Sequence, residues 1–247
     1  MTPTAILNMK QVTKIYGNGR GIRDISLELR AGDVYGLLGP NGAGKTTILK
    51  LMTGLIRAKT GSVALFGNDI AEHYEQAMRP VGCMIESADF HDFLNASQYL
   101  RMIARYYPHI TEKKMDETLE LVGLLAVRKD KIRQYSTGMK QKLALAAAVL
   151  PEPELVILDE PTNGLDIEGT VIFRKLVKRL AEERGTSFLI SSHMIHELEQ
   201  LCNRVGIVFE GRLRKEGNVS ELLQHNQSLE SFYIAELQQA REGIESA

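Results

Sequence analysis

Cysteine is scarce in this 247-residue chain: Cys83 and Cys202 stand far apart, with no metal-ligand spacing around either. That excludes a disulfide framework and a thiolate metal centre, and it fits two reduced thiols in a cytosolic protein. Long hydrophobic runs are missing too. The longest candidate, Leu143 to Leu150, stops at Pro151, well short of the ~18 consecutive apolar residues of a membrane span. The stretch Met1 to Leu7 has no basic segment followed by an apolar core, so no signal peptide is expected. Neither sign of charge dominates. With 30 Lys and Arg against 31 Asp and Glu the formal net charge is -1, and nothing in that balance points to nucleic acid or an anionic membrane. No internal repeat or low-complexity tract is visible. If this protein works at a membrane, another chain supplies the membrane part.

What is present starts with a glycine-rich run, Gly39-Pro40-Asn41-Gly42-Ala43-Gly44-Lys45-Thr46-Thr47. It follows the apolar stretch Val34 to Leu38 and precedes the helix-compatible Ile48 to Met52. This is G-x-x-x-x-G-K-[ST] in its required strand–loop–helix context. Glycines let successive backbone N–H groups turn toward one centre, and the helix start adds partial positive charge, so such a loop cradles phosphates. Lys45 is expected to reach the β- and γ-phosphates, and the Thr46 hydroxyl to coordinate Mg²⁺. The sequence therefore predicts a nucleoside triphosphate site.

A second carboxylate for Mg²⁺ belongs at the end of a buried strand, and Leu155-Val156-Ile157-Leu158-Asp159-Glu160 supplies it. Asp159 ends the apolar run and can hold the metal directly or through water. Glu160, one residue on, can orient or deprotonate an attacking water.

The rest of the chain sets these motifs in an α/β frame. Residues before the loop read as β-rich, with period-two alternation over Ile25 to Leu29 and turns at Asn18-Gly19 and Ala31-Gly32-Asp33. Val63 to Phe66 looks like a further short strand. Tyr99 to Tyr107, Glu112 to Val122 and Thr137 to Val149 have helical spacing. After the strand at Leu155 come a helix over Ile167 to Glu183, a strand over Ser187 to Ile190, a helix over His193 to Cys202, and a hairpin about Glu210-Gly211. The final stretch, Asn218 to Ala247, reads as short amphipathic helices. The expected fold is a P-loop NTPase (RecA-like) parallel-sheet core with an N-terminal antiparallel β subdomain and an inserted α-helical subdomain. Its boundaries are a single domain over 1–217, made of a core over 1–86 and 151–217 and an insertion over 87–150, followed by a tail over 218–247.

Together these residues resemble the nucleotide-binding subunit of ATP-binding-cassette (ABC) transporters, from about residue 5 to residue 217. Tyr135 to Gln141 stands where that family has its Leu-Ser-Gly-Gly-Gln signature; Ser136 and Gly138 match, while Tyr135, Thr137 and Met139 depart. The resemblance implies that Ser136 and Gly138 cap the γ-phosphate bound to the opposite subunit. Asn163-Gly164-Leu165-Asp166 resembles the D-loop that links the two sites. His193 resembles the switch histidine that bonds the γ-phosphate, whereas His91, His109 and His196 read as ordinary surface or core residues. Tyr16 matches the aromatic that stacks on adenine. One departure matters: the family has Gln at the start of the loop entering the helical subdomain, and Met84-Ile85-Glu86-Ser87 places Glu86 there. A carboxylate at that point adds a candidate Mg²⁺ ligand. With a Ser-x-Gly-Met-Lys-Gln signature it resembles the ATPases of bacitracin-resistance and lantibiotic-immunity exporters.

The resemblance implies an ATPase that binds ATP and Mg²⁺ and powers a separate transmembrane permease at the cytoplasmic face of the membrane. Two copies would associate head to tail, and no nucleic-acid partner is expected. The alternative is a soluble ABC-type ATPase acting on ribosomes or chromosomes. The first would carry two cassettes and the second a long coiled-coil insertion, and neither appears in this sequence.

Overall fold

The computed structural model describes residues 5–86, 90–225 and 228–245. Residues 87–89, with which the expected insertion begins, lie outside the described residues, as do the first four residues and the last two. In chain order the elements begin with β1 (Ala5–Ile15), β2 (Gly21–Arg30), β3 (Val34–Leu38), α1 (Lys45–Met52), β4 (Thr60–Leu65), β5 (Asn68–Asp69) and α2 (Tyr74–Met78). There follow β6 (Val81–Met84), α3 (Ala96–Ala104), α4 (Glu112–Leu121), α5 (Thr137–Val149), β7 (Leu155–Asp159) and α6 (Ile167–Arg184). The chain continues with β8 (Ser187–Ser192), α7 (Ile195–Leu201), β9 (Arg204–Phe209), β10 (Arg212–Asn218), α8 (Val219–His225) and α9 (Leu229–Glu245). They form two compact units, residues 1–79 with 187–247, and residues 80–186.

In the first unit a four-stranded sheet runs in the order β2-β1-β4-β5, antiparallel throughout. Ile25, Leu27 and Leu29 of β2 are buried while alternate residues face outward, as a one-sided antiparallel sheet requires. The other strands of this unit are centred on β3, whose five residues are all buried. β8 and β9 flank it, both parallel, and β10 returns antiparallel to β9 around the expected Glu210-Gly211 turn. Parallel strands covered on both faces read as unbroken apolar runs, which is why Val34 to Leu38 was recognisable. α8 and α9 close the unit, with Leu229 and Phe232 buried.

The same strands carry a partly buried polar cluster at the end of β3 away from the phosphate loop. The Arg204 guanidinium donates to Asp33 Oδ2 at 2.6 Å and to Glu216 Oε1 at 2.8 Å. The fully buried Tyr35 hydroxyl donates to Glu216 Oε2 at 2.8 Å, and the guanidinium lies 5.4 Å from the Tyr35 ring centroid. Burial and the adjacent Glu216 carboxylate push the Tyr35 phenol well above its ordinary value, so it remains a donor.

In the second unit β6 and β7 pair in parallel, and β7 is buried along its whole length. The helices of this unit start where side-chain caps dictate. Asn95 and Gln98 form a reciprocal capping box, so α3 begins at Ala96 rather than near Tyr99 as the spacing suggests. Ser136 caps α5, and Asp166 caps α6 by accepting from the Gly169 N–H at 2.7 Å. β6 and α2 were not read from the sequence: each is at most five residues long, and Gly82 and Cys83 break any apolar pattern in β6.

Candidate active site

In the first unit the phosphate loop leaves the end of β3 and turns directly into α1. Gly42 and Gly44 have φ of 81° and 110°, left-handed values that favour glycine and rotate successive N–H groups toward one side. A side chain on Gly44 would also meet Ile22 Cγ2 at 2.7 Å. The β9–β10 turn braces the loop through the Gly211 N–H, which donates to the Ala43 carbonyl at 2.9 Å. Lys45 is buried, and its ammonium folds back over the loop to donate to the Gly39 carbonyl at 2.7 Å. The Pro40 carbonyl accepts from it more weakly at 3.4 Å. This places a positive charge at the loop mouth, where phosphate oxygens can replace the carbonyls as its partners. Thr46 and Thr47 occupy the first turn of α1, half-buried.

His193 comes one residue after β8. Ser192 pairs in register with Leu38, so the residues that follow, His193 and Gly39, leave the same edge of two adjacent strands. A hydrogen bond from the Met194 N–H to Ser192 Oγ at 2.9 Å fixes the chain there, and His193 is exposed. Tyr16 closes β1 in a tight turn in which its N–H donates to the Arg20 carbonyl at 2.8 Å. The residue is 39% exposed, with the Lys14 ammonium 5.8 Å from its ring centroid. The chain beyond this turn, Gly21 and Ile22, packs against Gly44 and Gly211. The first unit thus carries the loop, the aromatic residue and the histidine.

In the second unit the register Met84↔Leu158 carries β6 and β7 to a common edge, two residues beyond which stand Glu86 and Glu160. Both have left-handed backbone, φ 62° and 47°, as have five other non-glycine residues among those described. Asp159, the last residue of β7, is buried, whereas Glu86 is exposed. Ser136 and Gly138 stand at the start of α5. The Ser136 hydroxyl accepts from the Met139 N–H at 3.2 Å and is exposed to solvent. The expected D-loop residues follow: the Asn163 N–H donates to the Glu160 carbonyl at 3.1 Å, and the segment ends at the Asp166 cap of α6.

Some contacts were not anticipated. The Gln141 side-chain amide donates to the carbonyls of Glu160 and Pro161, at 3.3 and 3.1 Å. The Lys140 ammonium pairs with Asp92 at 3.3 Å. The Gln141 partners are invisible in sequence because a main-chain carbonyl has no side-chain signal, and Asp92 lies 48 residues from Lys140. Burial pushes the Cys202 thiol above its ordinary value, which keeps it protonated; the Cys83 thiol is pushed the same way, although its residue is exposed.

Among the described residues no helix is long and apolar enough to cross a membrane. The family profile described as ABC transporter matches residues 22–163. The chain is 41% identical to an ABC transporter ATP-binding protein of Bacillus subtilis, YhcH, over 216 residues, covering 87% of this chain and 71% of the relative. It is 37% identical to the bacitracin transport ATP-binding protein BcrA of Bacillus licheniformis over 96% of this chain and 78% of the relative. Identity to the lantibiotic transport ATP-binding protein SrtF of Streptococcus pyogenes is 35%, over 89% and 94%. Among solved structures, the ATP-binding subunit of an ABC transporter superposes with a TM-score of 0.84 at 26% identity, over 94% of this chain and 99% of that one. The dimeric cassette MJ0796 bound to ADP and Pi superposes with a TM-score of 0.78 at 22% identity, over 86% and 98%, a likeness of fold.

Proposed function

The chain belongs to the ABC transporter family, and from that premise we propose how its residues divide the work of an ATPase that powers a membrane transporter. The observation that carries the reading is the phosphate loop at the end of β3, with Lys45 over its mouth and His193 leaving the paired strand at the same level. Residues Gly39 to Thr47 hold the phosphates of ATP, and the exposed Tyr16 offers its ring for the adenine. Lys45 and His193 bond the γ-phosphate. Glu160 orients the attacking water and accepts its proton.

The donors available for a metal are hard oxygens: a threonine hydroxyl on the first turn of α1 and a carboxylate at the end of a buried strand. Mg²⁺ takes such a set when phosphate and water complete its coordination. Thr46 and Asp159, with Glu86 as an added ligand, would hold it, and bound there it would neutralise charge on the phosphates. A Glu86→Gln variant is expected to bind ATP as before while its turnover or Mg²⁺ dependence changes by about ten-fold. Steady-state ATPase titrated with Mg²⁺ checks this; unchanged Mg²⁺ dependence and turnover would discard the role.

Ser136 and Gly138 sit at an exposed helix start, where an N-terminus attracts an anion. We assign them to the γ-phosphate held by a second copy, so that two chains close head to tail around two nucleotides. We assign the helices α3 to α5, within the insertion expected over 87–150, to the meeting with the permease at the cytoplasmic face of the membrane. Similarity to bacitracin and lantibiotic transport proteins supports a peptide-antibiotic exporter as the whole assembly, and favours a transporter over a soluble ATPase acting on ribosomes or chromosomes. Affinity capture of the tagged chain from detergent extracts of its native cells is expected to recover a multi-span membrane protein. Recovery of ribosomes or DNA instead would overturn the assignment.

A further inference from the structure

The reading above gives Glu160 its chemistry without saying what holds it in place. Glu160 has left-handed backbone, φ 47°, a conformation uncommon for an L-residue and one that local hydrogen bonds help to hold. Its carbonyl receives two donors. The Asn163 N–H closes the turn from one side at 3.1 Å, and the Gln141 amide approaches from α5 at 3.3 Å. The same Gln141 nitrogen donates to the next carbonyl, that of Pro161, at 3.1 Å. One half-buried side chain therefore fixes two consecutive peptide units, the ones that follow the Glu160 and Pro161 α-carbons.

The helix that carries Gln141 is itself held firmly against this turn. A β-carbon on Gly138 would come within 2.9 Å of the Gly164 carbonyl oxygen, and one on Gly164 within 3.0 Å of Thr137 Cγ2. Ser136 caps the helix, and Lys140 anchors its outer side to Asp92. A rigid helix start thus presents a two-proton donor to the backbone immediately after the carboxylate-bearing residue.

We propose that Gln141 is a positioning residue for Glu160 of its own chain, acting through the Glu160 and Pro161 carbonyls. The proposal rests on the role given to Glu160 above. Side-chain direction at Glu160 follows from its backbone torsions, and the peptide that Gln141 clamps defines one of them. Without Gln141 that peptide keeps the Asn163 N–H, and the looser turn lets the carboxylate swing off the line of attack. A displacement of about 1 Å at such a group lowers the chemical rate by about a hundred-fold. Nucleotide binding belongs to other residues and is untouched.

The test uses the full-length chain with Gln141→Glu, which keeps the side-chain size but presents oxygens to two carbonyls, and Gln141→Met, which keeps the packing and removes both donors. Steady-state ATPase, affinity for a fluorescent ATP analogue and Tm are measured for each, with Glu160→Gln alongside. Both Gln141 variants are expected to lose about ten- to a hundred-fold in kcat, with KM for ATP and analogue affinity unchanged. In the Glu160→Gln background, Gln141→Glu should add no further loss, since the group it positions is already disabled. Activity within about two-fold of the unmodified chain in both variants overturns the proposal. So does a joint fall of kcat, analogue affinity and Tm, which marks a general structural prop. Full activity in Glu160→Gln itself would remove the premise and the proposal with it, and that failure is read from a different variant.

Discussion

The Glu160→Gln variant is expected to bind ATP as the native chain does and to hydrolyse it about 10²–10⁴-fold more slowly, the range for losing a positioned general base. In energy that is about 3–5 kcal/mol of transition-state stabilisation. Glutamine is nearly isosteric with glutamate, so the Gln141 and Asn163 donors to the main-chain carbonyl of residue 160 stay in place. Only the ability to accept a proton is lost. With Lys45 and the loop unaltered, ATP should accumulate uncleaved and hold two chains together, so the variant should run as a dimer in ATP and as a monomer without it. Single-turnover hydrolysis and light scattering check the two halves separately. Unimpaired hydrolysis would remove Glu160 from the chemistry.

The second large effect is on stability. Arg204→Ala is expected to cost about 3–5 kcal/mol, the range for breaking a buried ion pair from one side. The Arg204 side chain is 12% exposed and Asp33 is 10% exposed, while Glu216 at 31% lies nearer the surface, so water can replace the cation only in part. The substitution leaves the Asp33 carboxylate facing Glu216 and the Tyr35 phenol without a compensating cation. It also removes the donor to the Glu28 carbonyl. A chain of this size should lose roughly 6–20 °C in Tm. The control is Arg30→Ala, which breaks the exposed pair with Glu28, 45% and 42% exposed, and should cost no more than about 1 kcal/mol. Equal losses for the two variants, measured by thermal and urea unfolding, would refute the partly buried cluster as a stability centre.

The contrast between these two residues shows what the sequence made legible. Glu160 is a candidate in the sequence because the proposed chemistry fixes its neighbourhood: a carboxylate must follow an apolar run that the sheet buries on both faces. The phosphate loop was legible for the same reason, since backbone N–H groups can converge only where glycines permit left-handed torsions. Arg204 carried no such signal. Its partner Asp33 lies 171 residues away, and nothing local distinguishes it from a solvated arginine. Gln141 was hidden in another way, because amides are common on helices and its targets are carbonyls. The start of α3 was readable in principle: Asn95 and Gln98 have capping-box spacing, and apolar periodicity drew the boundary three residues too late. β6 was not readable, since four residues without alternation fix no period.

Ser136 stands between these cases. In one chain it is a helix cap, and a cap is all that its hydrogen bond to the Met139 N–H requires. Its assignment to a neighbour's nucleotide is what makes each site a shared one. Subunit mixing tests that claim directly. Lys45→Ala spoils the phosphate loop and keeps the α5 start, while Ser136→Glu keeps the loop and sets a negative charge where the γ-phosphate would dock. Each variant alone should be inactive. Mixed in equal amounts, half of the dimers carry one site built from an intact loop and an intact helix start, so ATPase should recover to about a quarter of the native rate. A mixture no more active than the sum of its separate components would show that the site is not shared between two chains.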